Sequence, residues 1–442
     1  MISRRVLTLS LAALFLLTPR ARAAEDPSDT EMVPNRNMPA GVRETAQSGA
    51  ETDEETPAAF RWMLRPLKRG IFVRLPIIDT DPNRGITYGI MPIVVLQGKT
   101  DDRIEQIHAP SLTYNKDFKL TPTYRYYYYP HEDASFLARF SRGRYEHEGM
   151  LQYEDHSFRG THYDVLFRGQ KNRDAGQRFF GIGPDSPKSR EANYIQDYWQ
   201  WNWELGTPLA QGSPWRAHLS QRYMSSRTLN GPLVKLPSFL SYFPQQYSDV
   251  AQQTYETRVN LDYDTRDHAV TTSRGAYANA FAETSVRSFM SQYDYERYGA
   301  EGRYFLPWTK DPGKVFAVRV GYEQIMGPTP PFWLLPSVGG KYSLRAYGDG
   351  RYVDRGAATL NIEQRIRLYE AKAAGVTTEI QLAPFAGIGE VFDNPKVATR
   401  EGVRPVFGAA IRAVARPQVV GSVDFGVGRE GLSVFTDINY SF

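Results

Sequence analysis

Seven histidines are the first candidates for chemistry in this chain: His108, His131, His147, His156, His162, His218 and His268. A zinc hydrolase built on a helix needs H-E-x-x-H, because that spacing puts two imidazoles on one face with a general base between them. No such run is present, and neither is G-x-S-x-G, the strained turn that exposes a nucleophilic serine. Cysteine is absent, which excludes thiolate nucleophiles, Cys-ligated metals and disulfides. His147, His156 and His162 fall around one turn, a placement that scattered surface histidines explain as well as a site does. A dispersed serine–histidine pair in a membrane-embedded hydrolase would escape motif reading. The run Phe179-Phe180-Gly181-Ile182-Gly183-Pro184-Asp185-Ser186 carries glycines but precedes no helix, so it shapes a loop rather than cradling a phosphate. We therefore expect no enzyme, no cofactor and no metal site. A formal net charge of +4 is too small to argue for nucleic acid.

The elements that would have to position such residues are strands. Arg4 and Arg5, the apolar run Val6–Leu17 and the small residues of Ala21-Arg22-Ala23 have the form of a secretory signal peptide over 1–23. The run is too short for the roughly 20 residues of a spanning helix. Residues 24–69 mix acids with Pro27, Pro34, Pro39 and Pro57 and show no apolar period, so they are expected to form a polar, disordered linker. Phe60, Trp62, Met63 and Leu64 could pack as a small plug at its end.

From about Gly85 apolar and polar residues alternate with period two. Trp199, Trp201 and Trp203 alternate with Gln200, Asn202 and Glu204. Val259, Leu261 and Tyr263 alternate with Arg258, Asn260, Asp262 and Asp264. Leu360 and Ile362 alternate with Asn361, Glu363 and Arg365. A soluble sandwich would bury the apolar face on a second sheet, whereas a membrane barrel turns it to lipid. The connections favour the barrel. Short ones (206–214, 309–313, 369–375, 416–417) alternate with longer ones (171–193, 227–251, 327–356, 392–402), the pattern of periplasmic turns and external loops. With 28 tyrosines and 7 tryptophans the chain can also supply interfacial girdles. The fold expected is an all-β transmembrane antiparallel barrel over 70–442. Seventeen strands can be read back from the C-terminus, including 85–97 and 105–115; an even number is required, and sixteen are expected with one N-terminal segment set aside. The last strand places Val434, Thr436, Ile438, Tyr440 and Phe442 on one face and ends on an aromatic residue, like the β-signal of outer-membrane proteins.

Three stretches resemble the BamA/TamA outer-membrane assembly superfamily, also called the bacterial surface antigen family. Asp264-Thr265-Arg266-Asp267 with Ser273-Arg274-Gly275 looks like its turn between two mid-barrel strands. Gly339-Gly340-Lys341-Tyr342-Ser343-Leu344-Arg345-Ala346-Tyr347 looks like its long-loop motif, and Pro384–Asp393 like its following strand end. The resemblance implies that the loop folds into the lumen and that Arg345 pairs with an acid on the wall, Glu363 or Asp424 first and Glu379 next. Two positions depart from the family pattern. Ala346 stands where glycine is usual, which predicts a differently shaped loop tip, and Gly387 stands where an acid is frequent, which requires another carboxylate as partner. POTRA modules have no counterpart in 24–69, so a barrel-only member is expected. The resemblance further implies an outer-membrane protein that inserts or translocates polypeptide or lipid. Its implied partners are outer-membrane lipids, lipopolysaccharide and, during biogenesis, the outer-membrane assembly machinery. A passive pore or structural surface antigen, and an outer-membrane lipid hydrolase, are the alternatives.

Overall fold

A strand whose two faces meet different solvents needs only alternation to choose its side, and that rule organises the wall of this protein. The computed structural model describes residues 64–98, 104–269, 271–308, 313–328, 330–373, 376–397, 402–415 and 418–437, together with Tyr440. The expected signal peptide, most of the linker, Phe60, Trp62, Met63, Ile438 and Phe442 lie outside them.

In chain order the strands are β1 (Leu64–Leu67), β2 (Gly70–Asp81), β3 (Gly85–Gln97), β4 (Ile104–His108), β5 (Ser111–Asn115), β6 (Lys119–Tyr128), β7 (Ala134–Arg142) and β8 (His147–Asp155). There follow β9 (Asp164–Phe179), β10 (Ala192–Pro208), β11 (Trp215–Asn230), β12 (Ser248–Asp264), β13 (Gly275–Ser285), β14 (Tyr295–Pro307) and β15 (Lys314–Met326). A long loop then carries the two-residue hairpin β16 (Ser337–Val338) and β17 (Tyr352–Val353). The chain ends in β18 (Gly356–Ala373), β19 (Val376–Phe392), β20 (Arg404–Ala415), β21 (Gln418–Gly428) and β22 (Gly431–Asp437).

All but β16 and β17 join one antiparallel sheet of twenty strands. β4 and β5 are halves of one pass broken at Ala109-Pro110, since both pair with β3 and with β6. That leaves the short β1 and eighteen wall strands among the described residues, not the sixteen expected. Both N-terminal segments under question are strands, and Gly70–Asp81 adds another. Leu64–Leu67, read as linker, pairs with the start of β2.

The physical reason for the misreading is that the first strands are apolar on both faces. Val73, Met91, Ile93, Val95 and Ile107 form a buried inner cluster, while Ile78, Ile86 and Ile90 are exposed outside. Pro76 also interrupts β2, and proline is tolerated there because β2 is an end strand of the sheet.

Elsewhere the alternation holds. Trp199, Val259, Leu360 and Ile362 are exposed on the outer face, and their neighbours Gln200, Asn260, Asn361 and Glu363 are buried inside. No helix among the described residues is long and apolar enough to cross a membrane. The exposed band of isoleucine, leucine, phenylalanine and tryptophan on the strands is far larger than a soluble surface carries. Ladders run without interruption from β2 to β22, and the foot of β22 meets the head of β2. There the Thr80 N–H donates to Thr436 Oγ1 at 2.8 Å and Thr80 Oγ1 donates to the Val434 carbonyl at 3.2 Å.

Candidate functional site

Arg345 lies in a buried ion network. It sits on the loop between β15 and β18, 1% exposed, and its Nη1 donates to Glu363 Oε2 and to Asp424 Oδ2, each at 2.8 Å. Glu363 on β18 and Asp424 on β21 point inward because their strands alternate, with Ile362 and Phe425 on the outer face. The same two acids take further arginines. Arg412 on β20 grips Glu363 through Nη1 at 2.6 Å and Nη2 at 2.8 Å, and its Nη2 stands 3.7 Å from Asp424. Arg365 adds a bond from Nε to Glu363 at 3.1 Å. Three guanidiniums therefore converge on two carboxylates, and no charge in the group is more than 6% exposed. Charges buried this far hold only when each is forked to an opposite charge, which the bidentate Arg412–Glu363 pair supplies.

Aromatic faces complete the pocket. The Arg345 guanidinium lies 3.5 Å from the Phe385 ring centroid, and Arg365 lies 3.8 Å from that of Tyr440. Glu379 is absent from this group: its Oε2 accepts from Gln381 at 2.9 Å and Arg367 stands 3.8 Å from it. Tyr440 is turned inward, onto the side of Phe435 rather than the face it was expected to share with Val434 and Thr436. Its hydroxyl donates to Gln381 Oε1 at 2.8 Å.

The loop reaches the wall because the wall is bare there. A Cβ on Gly426 would fall 1.8 Å from the Arg345 carbonyl oxygen, and one on Gly428 would fall 2.9 Å from the Ala346 methyl. Leu344, Ala346 and Tyr347 are buried with Val338, Phe385 and Val406. The loop bends at Gly339 (φ 134°) and Gly340 (φ 85°), whereas Ala346 does not take a positive φ. Alanine thus replaces the family's usual glycine without strain, at a position where its methyl fills the space left by Gly428. A Cβ on Gly387 would stand 2.5 Å from Asn361 Oδ1, so an acid there would have to displace the Asn361 amide.

Above the network the loop is sewn to its neighbours. Arg351 donates from Nε to Glu430 at 2.7 Å and from Nη1 to Ser186 Oγ at 3.2 Å, and Gly183 N–H donates to the Val353 carbonyl at 2.8 Å. Phe179 packs against Phe239, Phe243 and Phe332 from two other loops. The glycine run 179–186 is thus part of this roof, with Gly181 and Gly183 at φ 111° and 109°. Beneath the loop remains a cavity of about 300 Å³, lined by Arg222, Arg258, Arg297 and Arg319, by Glu301 and Glu323, and by loop residues Lys341 to Ser343.

The D-T-R-D turn joins β12 to β13, and its Thr272 carbonyl accepts from Arg365 Nη1 at 3.1 Å, which ties it to the buried network. Arg266 forks onto Asp264 with Nε at 3.1 Å and Nη2 at 2.9 Å. Asp267 accepts the N–H of Ser273 at 2.9 Å, the N–H of Arg274 at 3.3 Å and the Ser273 hydroxyl. Gly275 (φ 107°) lets the two chains approach, since a Cβ there would lie 2.3 Å from the Thr265 carbonyl. Asp267→Ala should cost about 1–3 kcal/mol by stranding these donors; limited trypsinolysis at Arg266 and Arg274 will report the loosened turn, and an unchanged digest would refute the role.

Two of the histidines each pair with two carboxylates. His156 lies 3.2 Å from Glu154 and 3.4 Å from Asp164, and His218 lies 2.9 Å from Glu204 and 3.3 Å from Asp262. Among the described residues no group of three or more His, Asp or Glu is placed to hold a metal ion.

A sequence profile of the Omp85 superfamily domain matches residues 134–415, from the first residue of β7 to the last of β20. The chain belongs to the Omp85 superfamily. Omp85 membership implies the outer membrane and agrees with the resemblance to BamA. Among solved structures, BamA from Haemophilus ducreyi lacking POTRA domains 1-3 superposes with a TM-score of 0.54 at 14% identity, over 82% of this chain and 74% of that one. CdiB from Acinetobacter baumannii gives 0.42 at 13% identity over 83% of this chain and 58% of that one; CdiB from Escherichia coli gives 0.47 at 11% over 84% and 66%. No curated protein matches the sequence.

Sequence reasoning missed Arg412, Arg365, Gly426 and Gly428. One signal was available for the first: Arg412 is the only charge in the run Val406–Val414.

Proposed function

We propose that this Omp85 barrel inserts or translocates polypeptide or lipid at the outer membrane, with its long-loop end external and the edge between β2 and β22 as the working element. The observation that carries this reading is the character of that edge. Every neighbouring pair of wall strands from β2 to β22 is joined by backbone ladders, fifteen residue pairs long for β18 and β19. Among the described residues, β22 meets β2 at Thr80, Thr436, Val434 and Asp79 without a backbone ladder, with Thr436 Oγ1 donating to Asp79 Oδ1 at 2.9 Å. Bonds of this kind are worth about 0.5–1.5 kcal/mol each, so this edge is the cheapest place to open the wall. The docked loop supports the same reading, because it occupies the lumen that a passive pore would leave clear.

The absence of cysteine makes the test clean. Thr80→Cys with Thr436→Cys should form a disulfide that pins the edge. In a strain deleted for the native chain, the oxidised double variant should fail to restore the lost envelope function and should regain it on reduction. Full complementation by the oxidised form would sink the proposal. Planar-bilayer conductance with and without residues 335–350 separates it from a pore: a steady current independent of the loop would favour the passive alternative.

A further inference from the structure

On the outer surface of β9, β10 and β11, one carboxylate is surrounded by cations. Lys171 Nζ stands 2.5 Å from Asp197 Oδ1, while Arg227 Nη2 at 2.5 Å and Arg173 Nη1 at 3.2 Å reach Oδ2. Asp197 is 3% exposed, but Lys171 and Arg227 are 46% and 43% exposed. The strand register explains the crowding: Arg173 and Arg227 lie directly opposite Asp197 on its two sides. Arg142 and His147 pair across β7 and β8, and His147 in turn lies opposite Arg173. Three cations share one anion, with a fourth close by. Like charges on adjacent strands repel unless an anion balances them, so the row presents a standing demand for negative charge.

Its height on the wall says which anion. The outward residues immediately below are apolar: Trp199 opposite Lys171, then Phe167, Leu151 and Phe140, each 44–54% exposed. Gly149 and Gly169 open a shallow recess in this apolar wall, and a Cβ on Gly169 would meet nothing within 4 Å. The outward row above, Ala175, Ile195 and Leu229, is already covered by Phe118, Leu233 and Leu236 from the loops of the long-loop end. The cations therefore stand at the boundary between lipid-facing wall and loop collar, where headgroups lie.

We infer that this patch binds a phosphorylated lipid of the outer leaflet, with its phosphate on Lys171, Arg173 and Arg227 and an acyl chain in the recess at Gly149 and Gly169. A soluble anion would gain nothing from the recess, and a neutral lipid nothing from the cations. The inference rests on the reading that the long-loop end is external.

The probe is bis-phosphorylated lipid A added to the full chain in detergent, with bound fractions followed by native mass spectrometry. The variant is Lys171→Gln, Arg173→Gln and Arg227→Gln together; Arg159→Gln, Arg274→Gln and Lys314→Gln, exposed cations at the opposite end, serve as the control. Loss of three charge-assisted contacts should weaken binding about tenfold or more, with the control unchanged. Lipid A stripped of both phosphates should bind native protein and triple variant equally weakly. Equal binding of bis-phosphorylated lipid A by the triple variant would overturn the site. Displacement by equimolar inorganic phosphate would overturn the choice of a lipid. If the triple variant loses the heat-dependent gel shift of a folded barrel, Arg227→Gln alone replaces it, with the same direction required. A cysteine at Val234, which is fully exposed, reports the orientation. Labelling on intact cells by an impermeant maleimide together with unchanged lipid binding refutes the site alone, and failure to label refutes the orientation beneath it.

Discussion

Glu363→Gln is expected to be the most damaging single substitution in the protein. The carboxylate accepts from Arg345, Arg365 and Arg412 at once, at 2.6 to 3.1 Å. Glutamine keeps the shape but not the charge, leaving three buried guanidiniums facing Asp424 alone. Uncompensated buried charge of this kind costs about 3–5 kcal/mol. The heat-dependent gel shift of the folded barrel should move to lower temperature, and trypsin should cut the loop after Lys341 and Arg351. Arg345→Ala should divide these effects. Glu363 retains Arg412 and Arg365, so the barrel keeps most of its heat stability, while the loop loses its anchor and becomes cleavable. A loop that stays resistant in both variants would show that the network does not hold it.

Gly426→Val should release the loop by a route that involves no charge. Its first side-chain atom would enter the space of the Arg345 carbonyl oxygen, 1.8 Å away and part of the loop backbone. Overpacking in a closed site costs about 1–3 kcal/mol, and here the cheapest relief is for the loop to leave. The expected result is trypsin cleavage at Lys341 and Arg351 with the ladder of β20 and β21 intact. Gly302→Ala is the matched control, since a Cβ there meets nothing within 4 Å; a change within about 0.5 kcal/mol is expected. Equal behaviour of the two variants would mean that the loop does not need the bare wall.

The contrast between Arg345 and Arg412 shows what could be read from the residues. Arg345 stood in a recognisable loop motif, and its acids fell on inward positions of strands whose alternation was clear, so the group could be named before any coordinates. Arg412 lay among alanines and valines, with no motif around it. Its partner is 49 residues away in sequence and is set by the ladders linking β18 to β20. Gly426 and Gly428 were invisible for a different reason, because a missing side chain declares its use only when the neighbour that fills the gap is known. The strand count failed where the physics of alternation fails. β2 and β3 are apolar inside as well as outside, so period two carries little signal there. Tyr440 was assigned a face by extrapolating the alternation of β22, and its ring is instead held inward by Gln381.

The span of the Arg345 contacts also bears on the order in which the molecule is made. Glu363 is 18 residues from Arg345, but Asp424 is 79 residues away on the strand before last. Gly426, whose bare backbone receives the loop, lies on that same strand. The closure of so long a stretch must precede any reward from these contacts. The bond from Arg345 to Asp424 requires β21 to be in the sheet. Full docking of the loop thus depends on the C-terminal hairpins: a chain truncated before Asp424 lacks part of its anchor. Sensitivity of the loop to protease in nascent or shortened chains would serve as a natural mark of an unfinished barrel.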